Sequence, residues 1–332
     1  MNRAWMVVAV AVLGVGCSSS SKPQPATTTT SSTSTTSTTA ADTGTTVAAA
    51  PEPTEYIAVS PDGHLVAVSV ATGGVVRQLE PAPPQGAPSD LALSADRQTL
   101  FFSRGGRLEK VPAAGGAAAP VGTLAAGQTA SWPAPTPDGK YLAWVRTTEV
   151  PNGMATSDVM VTDLVTGAQR VLAPNAAQPR ELSWNGSGTR LAMQTNANVP
   201  VILTLSPTGA VVDQRSVTAP DPGCSFWTTR FVPGSDLLET VEPCQGMTPP
   251  KGDAILVQAF AGQARVTVAT LPASVGVTGF ALDRTGHFLL VTTIGPAGDA
   301  ASADLLVLHD GQQHPLPHAI PAPVVGGVTP VW

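Results

Sequence analysis

The sequence predicts an all-β domain built of short strands in repeated units, and three observations carry that expectation. Only 12% of the 332 residues are charged, whereas Gly and Pro contribute 32 each, a balance that favours short strands and many turns over long helices. From Glu55 onward, β-branched or apolar runs alternate with Gly, Pro and Asp turns. A tight glycine turn then recurs at Thr72-Gly73, Ala114-Gly115, Thr166-Gly167, Thr208-Gly209, Ala261-Gly262 and Asp310-Gly311, its glycines 42, 52, 42, 53 and 49 residues apart. Periods of that length mark arrays of small sheets, and glycine suits hairpin turns that require positive φ.

A second turn type falls between these, at Ser94-Ala95-Asp96-Arg97, Thr136-Pro137-Asp138-Gly139, Asn185-Gly186-Ser187-Gly188, Val232-Pro233-Gly234-Ser235 and Asp283-Arg284-Thr285-Gly286. If each repeat is a four-stranded sheet A-B-C-D, these are the A-B turns and the glycine turns are the C-D turns. One A-B turn is then missing, and it falls where the chain ends. Strands B, C and D of the first repeat begin at Glu55, with Ser60-Pro61-Asp62-Gly63 as its B-C turn, and its strand A comes from residues 327–332. The expectation for residues 55–332 is a six-bladed β-propeller with ring closure by a C-terminal strand. The residues just ahead of the A-B turns, Leu93, Pro135, Trp184, Phe231, Leu282 and Trp332, form a column expected to pack between neighbouring blades.

Two segments carry a family resemblance. Thr136-Pro137-Asp138-Gly139-Lys140-Tyr141-Leu142-Ala143-Trp144 and Val161-Thr162-Asp163-Leu164-Val165-Thr166-Gly167 are similar to the turn-and-strand repeats of the TolB-like, WD-repeat-like propellers. The resemblance covers residues 55–332 and implies architecture rather than a function.

The N-terminus reads Met1-Asn2-Arg3, an uncharged run from Ala4 to Gly16, then Cys17: the basic, apolar and small-residue order of an export signal. The run is too short to span a bilayer, which needs about 20 residues. Leu13-Gly14-Val15-Gly16-Cys17 resembles the lipobox of bacterial lipoproteins, with Gly14 where that family usually has an apolar residue. The resemblance implies that residues 1–16 are a lipoprotein signal peptide and that lipidated, palmitate-bearing Cys17 anchors the chain on the extracytoplasmic side of the cell membrane. A plain secretory signal with an incidental cysteine is the alternative. From Ser18 to Ala50 the chain carries 12 Thr and 8 Ser and no apolar period, so residues 17–54 read as a disordered tether.

Cys224 and Cys244 each lie ten residues from Gly234. An antiparallel hairpin folded at the Pro233-Gly234-Ser235 turn brings them opposite one another, which predicts a disulfide and agrees with an oxidising compartment. Metal-ligating or redox thiols are the rival, at a spacing unlike a CxxC site.

The net charge of −6, from 17 basic and 23 acidic residues, with no basic run, argues against a nucleic-acid partner. No GxSxG, P-loop, dinucleotide fingerprint or HExxH is present, and no cofactor is expected. Asp96, Asp138 and Asp283 sit in A-B turns, where Asp caps its own turn. His309, His314 and His318 could share a metal, but lack a carboxylate pattern and read as a solvated hairpin and exit segment. Arg104, Arg107 and Lys110 read as ordinary surface charge. Long B-C connections at 147–157, 242–253 and 293–303, with D-A segments 81–88 and 217–222, emerge on one face in a propeller. Met154, Met247, Pro249 and Trp227 offer adaptable apolar contacts there; the bland alternative is neutral loop insertion. The chain therefore reads as a surface-anchored binding or scaffolding lipoprotein for an envelope protein, peptide or glycan. The alternative is a metal-dependent hydrolase or lactonase with a site in the propeller channel.

Overall fold

Strands such as Leu65-Val66-Ala67-Val68-Ser69 are apolar at nearly every position and bury both faces, the pattern of a sheet packed on each side by another. A computed structural model describes residues 53–332 apart from 61, 82–85, 151–152, 196–198, 218–223, 225, 227, 233, 243–253, 260–264, 271–275, 284–287, 295–301, 308–311 and 315–330. Among the described residues every regular element is a strand, and the strands form six antiparallel sheets. The first holds β1 (Glu55–Val59), β2 (Leu65–Ser69) and β3 (Val75–Gln78). The second holds β4 (Ser89–Leu93), β5 (Thr99–Arg104), β6 (Arg107–Pro112) and β7 (Ala119–Pro120). The third comprises β8 (Gln128–Pro135), β9 (Tyr141–Thr148), β10 (Thr156–Asp163) and β11 (Gln169–Ala176), and the fourth β12 (Arg180–Trp184), β13 (Arg190–Gln194), β14 (Pro200–Leu205) and β15 (Val211–Ser216). The fifth is β16 (Thr228–Phe231), β17 (Leu237–Glu242), β18 (Ala254–Ala259) and β19 (Arg265–Thr270). The sixth is β20 (Gly276–Leu282), β21 (Phe288–Ile294), β22 (Ser302–Val307) and β23 (Gln312–His314).

Both turn types fall where the sequence places them. The five A-B turns join the first two strands of sheets two to six across one constant interval: Leu93 to Thr99, Pro135 to Tyr141, Trp184 to Arg190, Phe231 to Leu237 and Leu282 to Phe288. Their aspartates act on their own turns. Asp96 Oδ1 accepts from Ser94 Oγ at 2.6 Å and Gln98 N at 3.0 Å, Asp138 Oδ1 from Thr136 Oγ1 at 2.6 Å, and Asp283 Oδ1 from Phe288 N at 2.8 Å. Gly186 has a separate duty, since a Cβ there would come within 2.3 Å of the Gly234 backbone. Its N–H instead donates to Ser235 O at 3.0 Å, docking one A-B turn on the next.

The core lies between sheets. One cluster joins Ile57, Leu65 and Ala67 of the first sheet to Leu100, Phe102 and Val111 of the second. Others join the second to the third through Phe101, Leu108, Leu142 and Trp144, and the third to the fourth through Val145, Val161, Leu191 and Leu203. A fourth joins Ile202 to Phe231 and Leu238. A further cluster unites the first sheet with the last: Tyr56, Val66 and Val68 pack on Ala281, Phe288, Leu290 and Trp332. Val331 pairs antiparallel with Ile57, through hydrogen bonds of 2.7 and 2.9 Å. The column residues Trp184 and Trp332 play matching parts, each indole Nε1 donating to a carbonyl of the preceding sheet, Ala134 O at 3.0 Å and Ala281 O at 2.6 Å. Fourth strands lie outside, which leaves Val212 of β15 exposed, as are Val75 and Val76 of β3.

One sequence expectation changes. Arg104, read as surface charge, is buried because Glu80 and Glu109 receive its guanidinium, Nη2 reaching Glu80 at 2.7 and 2.9 Å and Nη1 reaching Glu109 at 2.8 Å. Its Cζ lies over the Phe102 ring, 4.7 Å from the centroid, a cation–π contact. Removing the indole by Trp332→Ala is expected to cost about 3–5 kcal/mol in urea unfolding. Val212→Thr on the exposed outer strand should stay within about 0.5 kcal/mol.

Candidate functional site

A bulge recurs in the innermost strands. Pairing of β4 with β5, β8 with β9 and β12 with β13 shifts register between Ser89 and Ala92, Ser131 and Ala134, and Arg180 and Ser183. At each shift one non-glycine residue takes positive φ: Asp90 at 52°, Trp132 at 52° and Glu181 at 54°. Each sits four residues ahead of its A-B turn. A bulge re-aims a side chain, and holding a non-glycine residue left-handed costs on the order of 1 kcal/mol. All three line a cavity of about 280 Å³, which extends past Leu93, Trp184, Arg230 and Trp332 to the A-B turn residues Ala95, Arg97 and Pro137. In the fifth sheet β16 pairs with β17 without a shift, and Arg230 joins the lining.

Asp90 is held from its own sheet and the next, and Glu181 from the next. Asp90 Oδ2 accepts from Ser103 Oγ at 2.5 Å and from Trp132 N at 3.4 Å, while Glu181 Oε1 accepts from Thr228 Oγ1 at 3.3 Å. Glu181 Oε2 is buried and has no hydrogen-bond partner among the described residues. Burial pushes Glu181 above the usual carboxylate range against the opposing charges of Arg230 and Arg180, and the charge of Asp90 adds to the rise. Burial raises Asp90 as well, although Ser103, Trp132 and Ser89 oppose it. Glu239, paired across from Arg230, is fully buried with neither carboxyl oxygen bonded, and burial lifts it furthest despite Arg230. Arg230 also lies over Phe280, 5.5 Å from its ring centroid. Polar groups with both acid and base character thus meet apolar walls in one partly open space, the make-up of a small-molecule site.

Among the described residues, no group of three or more His, Cys, Asp and Glu could hold a metal ion. Of the residues singled out from sequence, Met154 is 85% exposed at the β9–β10 connection, away from the cavity lining. Cys17, Cys244, Met247, Pro249 and Trp227 lie outside the described residues, as do His309 and His318. Cys224 is disulfide-bonded. The sequence reading missed Asp90, Glu181 and Arg230. Aligning the repeats on their A-B turns would have found the first two, as a column four residues upstream that breaks the apolar alternation.

Sheets packed in sequence around such a cavity define a TolB-like β-propeller fold, and the solved structures agree. The chain is similar to TolB from Acinetobacter baumannii, at 11% identity and a TM-score of 0.57, over 78% of this chain and 61% of that one. It is also similar to an oligogalacturonate lyase in complex with manganese, at 17% identity and a TM-score of 0.55, over 78% of this chain and 75% of that one. An oligogalacturonate lyase from Vibrio parahaemolyticus aligns at 13% identity and a TM-score of 0.51, over 80% of each chain. At these identities the likeness is one of fold. No protein-family model matches the sequence, and no curated protein matches it.

The raised carboxyls fix a sign for pH. A folded carboxyl that holds its proton to higher pH than the unfolded one stabilises most below the ordinary carboxylate range, and that stability is lost as pH rises through the raised value. Asp96, Asp138 and Asp163 act oppositely: Ser94, Thr136 and the Thr166 backbone N–H, respectively the foremost hydrogen-bond donors to them, lower their pKa values, so their share is lost on acidification. Glu239→Gln should remove much of the decline above the carboxylate range, flattening the urea midpoint between about pH 5 and 8. A wild-type decline left unchanged in the variant would assign it to other groups.

Proposed function

We propose that this chain is an extracytoplasmic binding or scaffolding lipoprotein: a six-bladed propeller closed by its C-terminal strand and anchored through Cys17 on a Ser/Thr-rich tether. The Val331–Ile57 pairing and the shared core of the first and last sheets support closure. The export-type leader and a disulfide-bonded Cys224 support an oxidising location, with Cys244 as the partner we assign to it.

The observation that carries the binding role is the contrast between the ends of the sheets. A-B turns span one constant interval, whereas the B-C and D-A connections vary from Arg104–Arg107 to Glu242–Ala254. In a propeller all B-C and D-A connections emerge on one face, and a scaffold with one uniform and one variable face presents its contacts on the variable one. Met154, Met247, Pro249 and Trp227 are the contacts we assign there, for an envelope protein, peptide or glycan.

Crosslinking on intact cells tests this, comparing wild type with a variant lacking residues 148–155 and 245–252. The expected result is one stoichiometric partner, lost with the loops. Capture unaffected by the deletion, or no partner in either sample, would defeat the reading, and stoichiometric metal in the purified domain would favour a metal-dependent hydrolase instead. Cys17→Ser should move the protein from the membrane fraction to the soluble one. Cys244→Ser should make Cys224 open to alkylation without reduction.

A further inference from the structure

The cavity between the innermost strands has a chemistry of its own, separate from the loop face. Asp90 and Glu181 enter it from non-adjacent sheets, both out of strand alternation by means of a bulge and a positive φ. Asp90 Oδ2 accepts from Ser103, Ser89 and Trp132 N, whereas Glu181 Oε2 is buried without a partner among the described residues.

The positive groups nearby do not complete Glu181. Arg230 and, less strongly, Arg180 act on Glu181 by charge without a bond to Oε2, and Arg230 also faces Glu239 across the β16–β17 pair and lies over Phe280. Arg97 stands at the exposed A-B turn. Glu181 Oε2, short of a hydrogen-bond donor in a cavity it shares with Asp90, Leu93, Trp132, Trp184 and Trp332, suits a cation that brings its own N–H groups and tolerates apolar walls.

A multivalent metal ion would need further oxygen or nitrogen ligands, and no third His, Cys, Asp or Glu joins the pair among the described residues. An alkylammonium group needs only acceptors, and its apolar body gains from aromatic surface. The volume of about 280 Å³ stands at the lower end of small-ligand pockets, enough for one amine-bearing residue or a small arylalkylamine.

We propose that this cavity binds a primary ammonium compound with an apolar body, its nitrogen between the Asp90 and Glu181 carboxylates and its body against the tryptophans. Calorimetric titration of the purified protein with 2-phenylethylammonium, its neutral counterpart 2-phenylethanol and the anion 3-phenylpropionate tests this. The ammonium probe is expected to bind at least about 10-fold more tightly than the alcohol, a difference of about 1.4 kcal/mol, with the anion weakest. Glu181→Gln and, separately, Asp90→Asn should each weaken the ammonium by about 10-fold or more and leave the weaker binding of the alcohol in place. Circular dichroism melting of each variant establishes that it is folded, and the three-probe comparison on wild type stands without either variant. Alcohol or anion binding as tightly as the ammonium overturns the proposal, as does ammonium affinity unchanged in both folded variants. Absence of ammonium binding up to about 10 mM overturns it too. None of these outcomes bears on the loop-face partner, which the crosslinking experiment reads independently.

Discussion

Everything in this chain depends on sheets that bury both faces against their neighbours. A sheet in that position cannot use the ordinary alternation of inside and outside, so its middle strands become apolar throughout, as in β2, β5 and β13. Close stacking also desolvates backbone carbonyls that face a neighbour rather than a ladder, and a buried acceptor left unpaired is costly. The Trp184 and Trp332 indoles meet both demands, filling the space between two sheets and donating to Ala134 O and Ala281 O. Trp332 also packs on Tyr56 edge to face at 6.3 Å, within a cluster that draws on the first and last sheets.

The cavity is a consequence of that stacking. Innermost strands held apart by their neighbours leave a space along which one side chain per sheet can be displayed, and the bulges decide which one. Positive φ at Asp90, Trp132 and Glu181 runs against the local preference of all three residues. Packing of the sheets on either side over-determines the backbone and makes the strain sustainable. Repetition in three consecutive sheets marks it as a built feature of the ring's interior, and at two of the three positions the displayed group is an acid.

Much of the fold was legible because turns are local. Asp96, Asp138 and Asp283 bond within their own turns, so residue type alone announces them. The cavity was not legible, for a physical reason. Asp90 and Glu181 each appear as the one acid in a short strand of mixed polar and apolar residues, which ordinarily faces solvent. Only register shifts that depend on β5 and β13 turn them inward, and no pattern within β4 or β12 contains that information. Arg104 was misread likewise: its partner Glu80 lies in the connection after β3 and Glu109 on β6, and β5 by itself gives no hint that its last residue is buried.

That buried arginine sets the standard for judging the cavity. In a chain with 12% charged residues, burying charge is an expense met elsewhere by near-complete pairing: Arg104 gives both Nη atoms to three carboxylate oxygens and sets its Cζ over the ring of Phe102. Stability has no use for a carboxyl buried without such partners, since an apolar side chain of similar volume would pack as well at lower cost. Among the described residues Glu181, in the cavity lining, retains a bare buried oxygen, and Glu239, outside that lining, retains two. The same chain therefore shows what it does with charge when the purpose is structural, and the interior carboxyls depart from it. Their arrangement is intelligible as one poised for a group that comes from outside the chain.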